Sequence, residues 1–379
     1  MTISNRIEGI LRLISPLHCA TIDSTGGAGD KNVTYTHKQK VMTSKGEQRI
    51  PYYTANGLRG RLRRKAAKLV LDHIVQSGKV KVDLYQALMG GAVTTSPESD
   101  MTAEEALRGR DNVYMGLFGG GTRLLRSRYS TNDLIPVLRD TIDAGIVPEQ
   151  FGADWIPQGH IGEGVLGPLT GYHLVEKRTS FRIDDVARMM NPAEVEAYIE
   201  DAVNAVGSKQ AEILGGRAER KADKAAAKAG DIKATDIVGK KDLGNMMAVE
   251  VIPRGTPLHC LIDLANDTSD AHVGLLLLAL QDLVREQALG GWVRCGFGRY
   301  SANLTLTRND QKYQVFEEGK NAADATLTQD VAQAFCKPAL EAISTLTVQS
   351  MMEFFTPRAT DAEDKPAKGK AKKGEEVIA

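Results

Sequence analysis

Apolar and polar positions alternate from the first residues. Ile7, Gly9, Leu11 and Leu13 fall on one side of an extended chain, with Arg6, Glu8 and Arg12 on the other, and Pro16 ends the pattern. That period of two predicts a half-buried strand. Asp23 to Asp30 (Asp-Ser-Thr-Gly-Gly-Ala-Gly-Asp) has the composition of a loop. Val33 to Val41 reads as extended, Ser44 to Gly46 as a turn, and Gln48 to Tyr53 as the approach to a helix. Thr54 and Asn56 are both competent N-caps for that helix, which runs to about Gln76. Within it Leu58, Leu62, Ala66, Leu69 and His73 recur every three or four residues, the stripe a helix buries.

Periodicity weakens from 85 to 200, where short helical patterns surround a Gly/Arg segment (Gly116 to Arg123, then Arg126 and Arg128) and a Gly/Pro-rich stretch from Pro157 to Gly171. This predicts an inserted subdomain. Met246 to Ile252 and Leu258 to Leu264 read as a strand pair joined by Pro253-Arg254-Gly255-Thr256. Ser269 or Asp270 then caps an apolar helix reaching Leu289, a glycine-rich loop follows, and Tyr300 to Leu306 alternates as a final strand. Strand, helix, insertion, strand pair, helix, strand is the order of a ferredoxin-like β-α-β-β-α-β fold, hence α+β.

Composition changes this picture little: 42% hydrophobic and 25% charged residues describe an ordinary globular chain. Neither a basic-then-apolar leader nor a run of 18 apolar residues occurs. The expectation is a cytoplasmic protein with no membrane contact. Cys19, Cys260, Cys295 and Cys336 are far apart and predict free thiols rather than a metal site.

Charge changes it more. The net charge is zero, yet residues 1–81 hold 15 basic against 5 acidic side chains, so the remainder carries −10. Six basic residues stand between Arg59 and Lys68 with no acid among them. At 100° per residue Arg61, Arg64, Lys65 and Lys68 gather on one flank, a surface suited to phosphate. In Gly290-Gly-Trp-Val-Arg-Cys-Gly-Phe-Gly-Arg299, four glycines allow close backbone approach and Arg294 and Arg299 supply planar donors. Backbone amides and guanidinium groups together would hold a nucleic-acid backbone. One face of the predicted sheet is then covered by helices and the other is free for RNA. From Lys209 to Lys241, nine basic residues against five acidic ones, with many alanines, predict a protruding arm. The tail from Asp361 to Glu376 has no core residues.

Three segments coincide with one family pattern. Arg49-Ile-Pro-Tyr-Tyr-Thr-Ala-Asn-Gly-Leu-Arg-Gly-Arg-Leu-Arg63 resembles the I-P-x-S-S-L-K-G-x-L-R start of a helix in the RAMP superfamily. Leu117-Phe118-Gly119 is similar to its L-F-G signature. Gly290 to Arg299 resembles its C-terminal glycine-rich loop, and Val251 to Thr256 the turn before it. The chain is most similar to the backbone subunit of CRISPR effector complexes, the seventh Cas family, in its type IV branch. Asn56 and Gly57 depart from the two serines of the pattern, while Arg59 keeps the charge.

The resemblance implies a ferredoxin-like palm (1–84 and 246–357), helical fingers (85–204), a thumb or arm (205–245) and a tail (358–379). It implies a non-catalytic, cofactor-free subunit that polymerises along a CRISPR guide RNA and presents it to target DNA or RNA. Its partners would be further copies of itself, a fifth-Cas-family-like subunit, a large subunit, a guide-processing endonuclease and a helicase of the DinG family. Residues expected at the RNA are Lys38, Lys40, Asn56, Gly57, Arg59, Arg61, Arg64, Lys65, Arg123, Arg254, Arg294, Gly296, Gly298 and Arg299.

Two other readings stay open. Type III relatives cut target RNA with an aspartate in the loop after the first strand, where this chain has Asp23 and Asp30. A standalone RNA-binding protein is the third class. No P-loop fits, because Asp30 precedes Lys31 in Gly26 to Asn32 and no hydroxyl follows the lysine; G-x-S-x-G and H-E-x-x-H are also absent.

Overall fold

The computed structural model describes residues 5–20, 33–44, 46–91, 102–121, 125–162, 165–181, 192–196, 200–208, 246–316 and 324–355. Asp23, Asp30, Arg123, most of the expected arm and the tail lie outside them.

The central sheet is built from β1 (Arg6–Leu13), β2 (Tyr129–Thr131), β3 (Ile135–Pro136), β4 (Pro257–Leu264), β5 (Tyr300–Arg308) and β6 (Gln311–Gln314). Its order is β6-β5-β1-β4-β2, with β3 also on β4, and every pairing is antiparallel. With α1 (Ala55–Ile74) between β1 and β2, and α2 (Asp270–Glu286) between β4 and β5, this is the ferredoxin-like arrangement.

One assignment is corrected. Met246–Val251 is a strand, but it pairs with Val33–Thr34 and Glu176–Phe181 in a separate three-stranded sheet, not with β4. The place beside β4 goes to β2 and β3, from the segment predicted to be inserted. The turn Pro253 to Thr256 therefore passes between two sheets.

The apolar face of β1 meets both helices: Ile7, Leu11 and Leu13 join Leu58, Leu62, Val70, Leu276, Leu280 and Leu304 in the main core. On α1 the buried positions are Leu58, Leu62, Ala66, Ala67, Val70, Leu71 and Ile74. Val70 and Ile74 thus replace Leu69 and His73 of the predicted stripe, a rotation of one residue. His73 instead sets Nε2 3.1 Å from the Ser344 carbonyl.

The opposite face of the sheet is not free, contrary to expectation. Ile10 packs with Val41, Ile50, Ile135, Val137, Leu138, Val147 and Leu174 in a second cluster. The hairpin Lys38–Thr43 with Gly46–Pro51 supplies two of these residues. His259 on the same face packs against Phe151, ring centroids 5.0 Å apart and the planes tilted by 52°, with Nε2 3.1 Å from Glu8 Oε1. On that face β1 carries no aromatic side chain and the His259 ring of β4 is buried, so neither offers the exposed ring on which RNA-binding sheets stack bases.

Candidate nucleic-acid interface

Thr54 caps α1, its hydroxyl accepting from the Gly57 amide at 3.2 Å. The Ala55 amide donates to Asp133 Oδ1 at 2.7 Å, so a carboxylate already occupies the positive end of this helix. Asn56 is exposed beside it. A Cβ on Gly57 would fall 2.8 Å from the Tyr53 hydroxyl, so packing accounts for that glycine. Gly60 differs: a Cβ there would meet only the flexible Arg64 guanidinium, at 3.3 Å.

The basic residues of α1 divide between two flanks. Arg59 and Arg63, one turn apart, reach towards β2. Arg59 Nη2 donates to Ser127 Oγ at 3.4 Å and its guanidinium lies 5.7 Å from the Tyr129 ring. Arg63 Nη1 donates to the Gly119 carbonyl at 3.1 Å and covers Phe118, so it binds the Leu117-Phe118-Gly119 segment to the helix. Arg61 Nη2 donates to the Gly290 carbonyl at 3.2 Å on the other flank. Arg61 and Lys65 there share Glu286 of α2, at 3.8 and 3.0 Å. The basic run is therefore partly neutralised by an acid that lies more than 200 residues away in sequence. Arg64 is exposed and has no ion pair among the described residues.

The glycine-rich loop is woven into one end of the sheet. Gly291 donates to His18 O (2.8 Å), Gly298 to Pro16 O (2.8 Å) and Arg299 to Ser15 Oγ (2.8 Å). Ile14 in turn donates to Arg299 O at 2.8 Å. Cys295, Gly296 and Phe297 donate to Trp292 or Val293 carbonyls. Every amide from Cys295 to Arg299 is therefore already engaged, so this stretch cannot be the amide cradle expected for a phosphate. Gly298, at φ +78°, is a packing glycine, since a Cβ would fall 1.9 Å from Leu289 O. Gly296, at φ +80°, has open space where a Cβ would stand. Trp292 adopts φ +60°, rare for a large side chain, and its ring stacks with Phe297 at 6.3 Å. Arg178 lies 6.0 Å from the Phe297 centroid.

Three segments converge at this end: the exit of β1, the turn before β4 and the loop. Gly255 donates to Leu13 O at 2.7 Å and Leu13 to Thr256 O at 3.0 Å. From them project Arg12, Arg254, Arg294 and Arg299, all exposed and without an ion pair among the described residues. Arg12 was not singled out from sequence, although strand alternation places it on the polar side of β1. Lys38 and Lys40 are elsewhere and engaged, Lys38 with Glu250 at 2.8 Å and Lys40 with Glu47 at 3.2 Å.

A second basic group was also missed. Arg110, Arg126 and Arg128 join Arg59 around a cleft of about 590 Å³ at the opposite end of β4. Beside it His272 is held below its usual pKa, first by burial and then by the Arg128 charge. Among the described residues no three His, Cys, Asp or Glu side chains form a metal-binding group, and no helix is long and apolar enough to cross a membrane.

No protein-family model matches this sequence, and no curated protein is similar to it. Among solved structures, a chain of a type IV-B CRISPR complex is similar over 80% of this chain and 90% of its own length, at 16% identity and a TM-score of 0.45.

Proposed function

We propose that the chain is a non-catalytic CRISPR RNA-binding subunit that assembles in several copies along a guide RNA in a type IV effector complex. The observation that supports this reading best is the convergence of Arg12, Arg254, Arg294 and Arg299 on one end of the ferredoxin-like sheet, exposed and unneutralised by any described acid. Guanidinium groups in that state suit phosphate oxygens, and contacts to the phosphate backbone carry no sequence information. The amides of Gly291 and of Cys295 to Arg299 are engaged, so in this reading the arginines carry the contact and the loop fixes where they stand.

The family motifs supply the rest of the reading: guide RNA rather than RNA in general, several copies in a row, target DNA or RNA held through the guide, and the other effector subunits and helicase as partners. The palm, fingers and thumb division belongs to the same reading. Arg64 and Gly60 on the outward side of α1 extend the surface. Arg59, Arg61 and Lys65 support it from positions that also hold the fold.

Single-stranded RNA titrated into wild-type and Arg254→Glu/Arg294→Glu/Arg299→Glu protein tests the reading. Wild-type affinity should be indifferent to sequence and decline with salt by about 0.7 counterions per phosphate contact. Equal affinity of the triple variant, with its fold intact, would remove the arginine cluster from the site.

A further inference from the structure

Beyond the cluster at the loop end, we propose that the cleft lined by Arg59, Arg110, Arg126 and Arg128 is a second phosphate site, taking the phosphate of a nucleotide chain. The inference rests on the reading of the chain as a nucleic-acid binder, but uses none of the arginines that carry it. Along β4, which rises roughly 3.4 Å per residue, the cleft lies at the Leu264 end and the loop cluster at the Pro257 end, about 24 Å away.

Two of its guanidinium groups are fixed in place. Arg59 is held by Ser127 and by the Tyr129 ring. Arg128, 13% exposed, places Nε 3.2 Å from Asp267 Oδ2 and Nη1 2.6 Å from the Arg110 carbonyl. The other two, Arg110 and Arg126, are exposed and have no ion pair among the described residues. Against these four cations stand two lining acids, Asp263 and Asp267, and the second is already matched by Arg128. Two charges are left over, enough for a phosphate monoester dianion or two successive phosphodiesters. The volume, about 590 Å³, suits a group of nucleotide size rather than a lone ion. Tyr129, Leu264 and Ala265 give the cleft an apolar part where a sugar or base can lie.

A terminal phosphate and an internal phosphodiester offer the same chemistry, so the test uses one short single-stranded RNA with either a 5′-phosphate or a 5′-hydroxyl. Each is titrated into the wild-type chain, Arg110→Glu/Arg126→Glu and Arg254→Glu/Arg294→Glu, with melting temperatures measured beside the affinities. The Arg110/Arg126 variant should bind about tenfold or more weakly at an unchanged melting temperature, as expected for lost charge-assisted contacts. If only the 5′-phosphate RNA is affected the occupant is a chain end, and if both are, it is an internal phosphodiester. Unchanged affinity for both RNAs overturns the inference. A loss confined to the Arg254/Arg294 variant supports the loop cluster and overturns the cleft; the converse overturns the cluster and leaves the cleft standing. Should the glutamate variant melt early, Arg110→Gln/Arg126→Gln gives the same comparison without reversed charge.

Discussion

Three glycines that look alike in sequence have different reasons to be glycine. Gly60 sits in the first turns of α1, where glycine is less favourable than alanine by roughly 0.8–1 kcal/mol, yet no backbone or core atom crowds it. Gly60→Ala should therefore raise the melting temperature while lowering RNA affinity, because the proposed RNA surface includes the outward side of α1. Higher stability with undiminished affinity would place the RNA elsewhere. Gly298→Val should lower stability and binding together, since Leu289 O blocks the side chain. Gly296→Ala meets only the strain of a positive φ, of order 1–2 kcal/mol. Differential scanning fluorimetry with a binding titration separates the three. At Glu8 the signal is pH. Its carboxyl is held below the ordinary value of 4.5, chiefly by the His259 hydrogen bond and then by the Arg6 charge, against the opposing effect of burial. Above 4.5 the folded and unfolded carboxyls are both ionised and the interaction stabilises fully. As pH falls the unfolded chain takes up the proton first, so the contribution fades through the folded pKa. Glu8→Gln should thus melt below wild type at neutral pH, with the two curves converging in acid. Parallel curves throughout would show that Glu8 contributes no titrating stabilisation.

At the scale of elements, the two flanks of α1 lead to different expectations. Arg61→Glu removes contacts to Gly290 and Glu286 and sets a new acid near Glu286, so stability should fall with affinity. Arg64→Glu touches no described partner and should weaken RNA binding at an unchanged melting temperature, by roughly 1–3 kcal/mol per lost charged contact. If both variants melt alike, the division into two flanks is wrong. These distinctions were only partly legible in the sequence. Strong local signals gave β1, α2, β5 and, for each helix, a pair of cap candidates (Thr54 or Asn56, Ser269 or Asp270) of which the first is the cap, because alternation and capping are properties of neighbouring residues. The second sheet strand was missed because β2 and β3 hold three and two residues with Asn132, Asp133 and Leu134 between them, too short to show a period. Met246–Val251 has the stronger strand pattern, but pairing is decided by distant partners, here Val33–Thr34 and Glu176–Phe181. The arginines of the loop were legible as types. That Gly291, Gly298 and Arg299 donate to His18, Pro16 and Ser15, and that Glu286 meets Arg61 and Lys65, depends on contacts between segments far apart in the chain.

For the whole molecule the open choice lies between holding RNA and cutting it. Metal-assisted cleavage needs carboxylates fixed beside the scissile phosphate. Three of the described acids near the basic surfaces have cationic partners: Glu286 with Arg61 and Lys65, Asp267 with Arg128, Glu250 with Lys38. A carboxylate so engaged compensates a guanidinium or ammonium group and is a poor ligand for a second cation. Asp263 lines the cleft without an ion pair among the described residues. Asp133, close to α1, is bound to the Ala55 amide. A chain arranged this way should protect the RNA it coats. Protein assembled on a guide, given Mg²⁺ or Mn²⁺ and a complementary RNA, should leave that RNA whole on a denaturing gel, and the complex should sediment as several copies per guide. A ladder of fragments at a regular spacing, lost in Asp23→Ala or Asp30→Ala protein, would overturn the scaffold reading and assign cleavage to the segment after β1. A single copy per guide with intact RNA would instead support a standalone RNA-binding protein, and would limit the arginine surfaces to gripping one strand on one molecule.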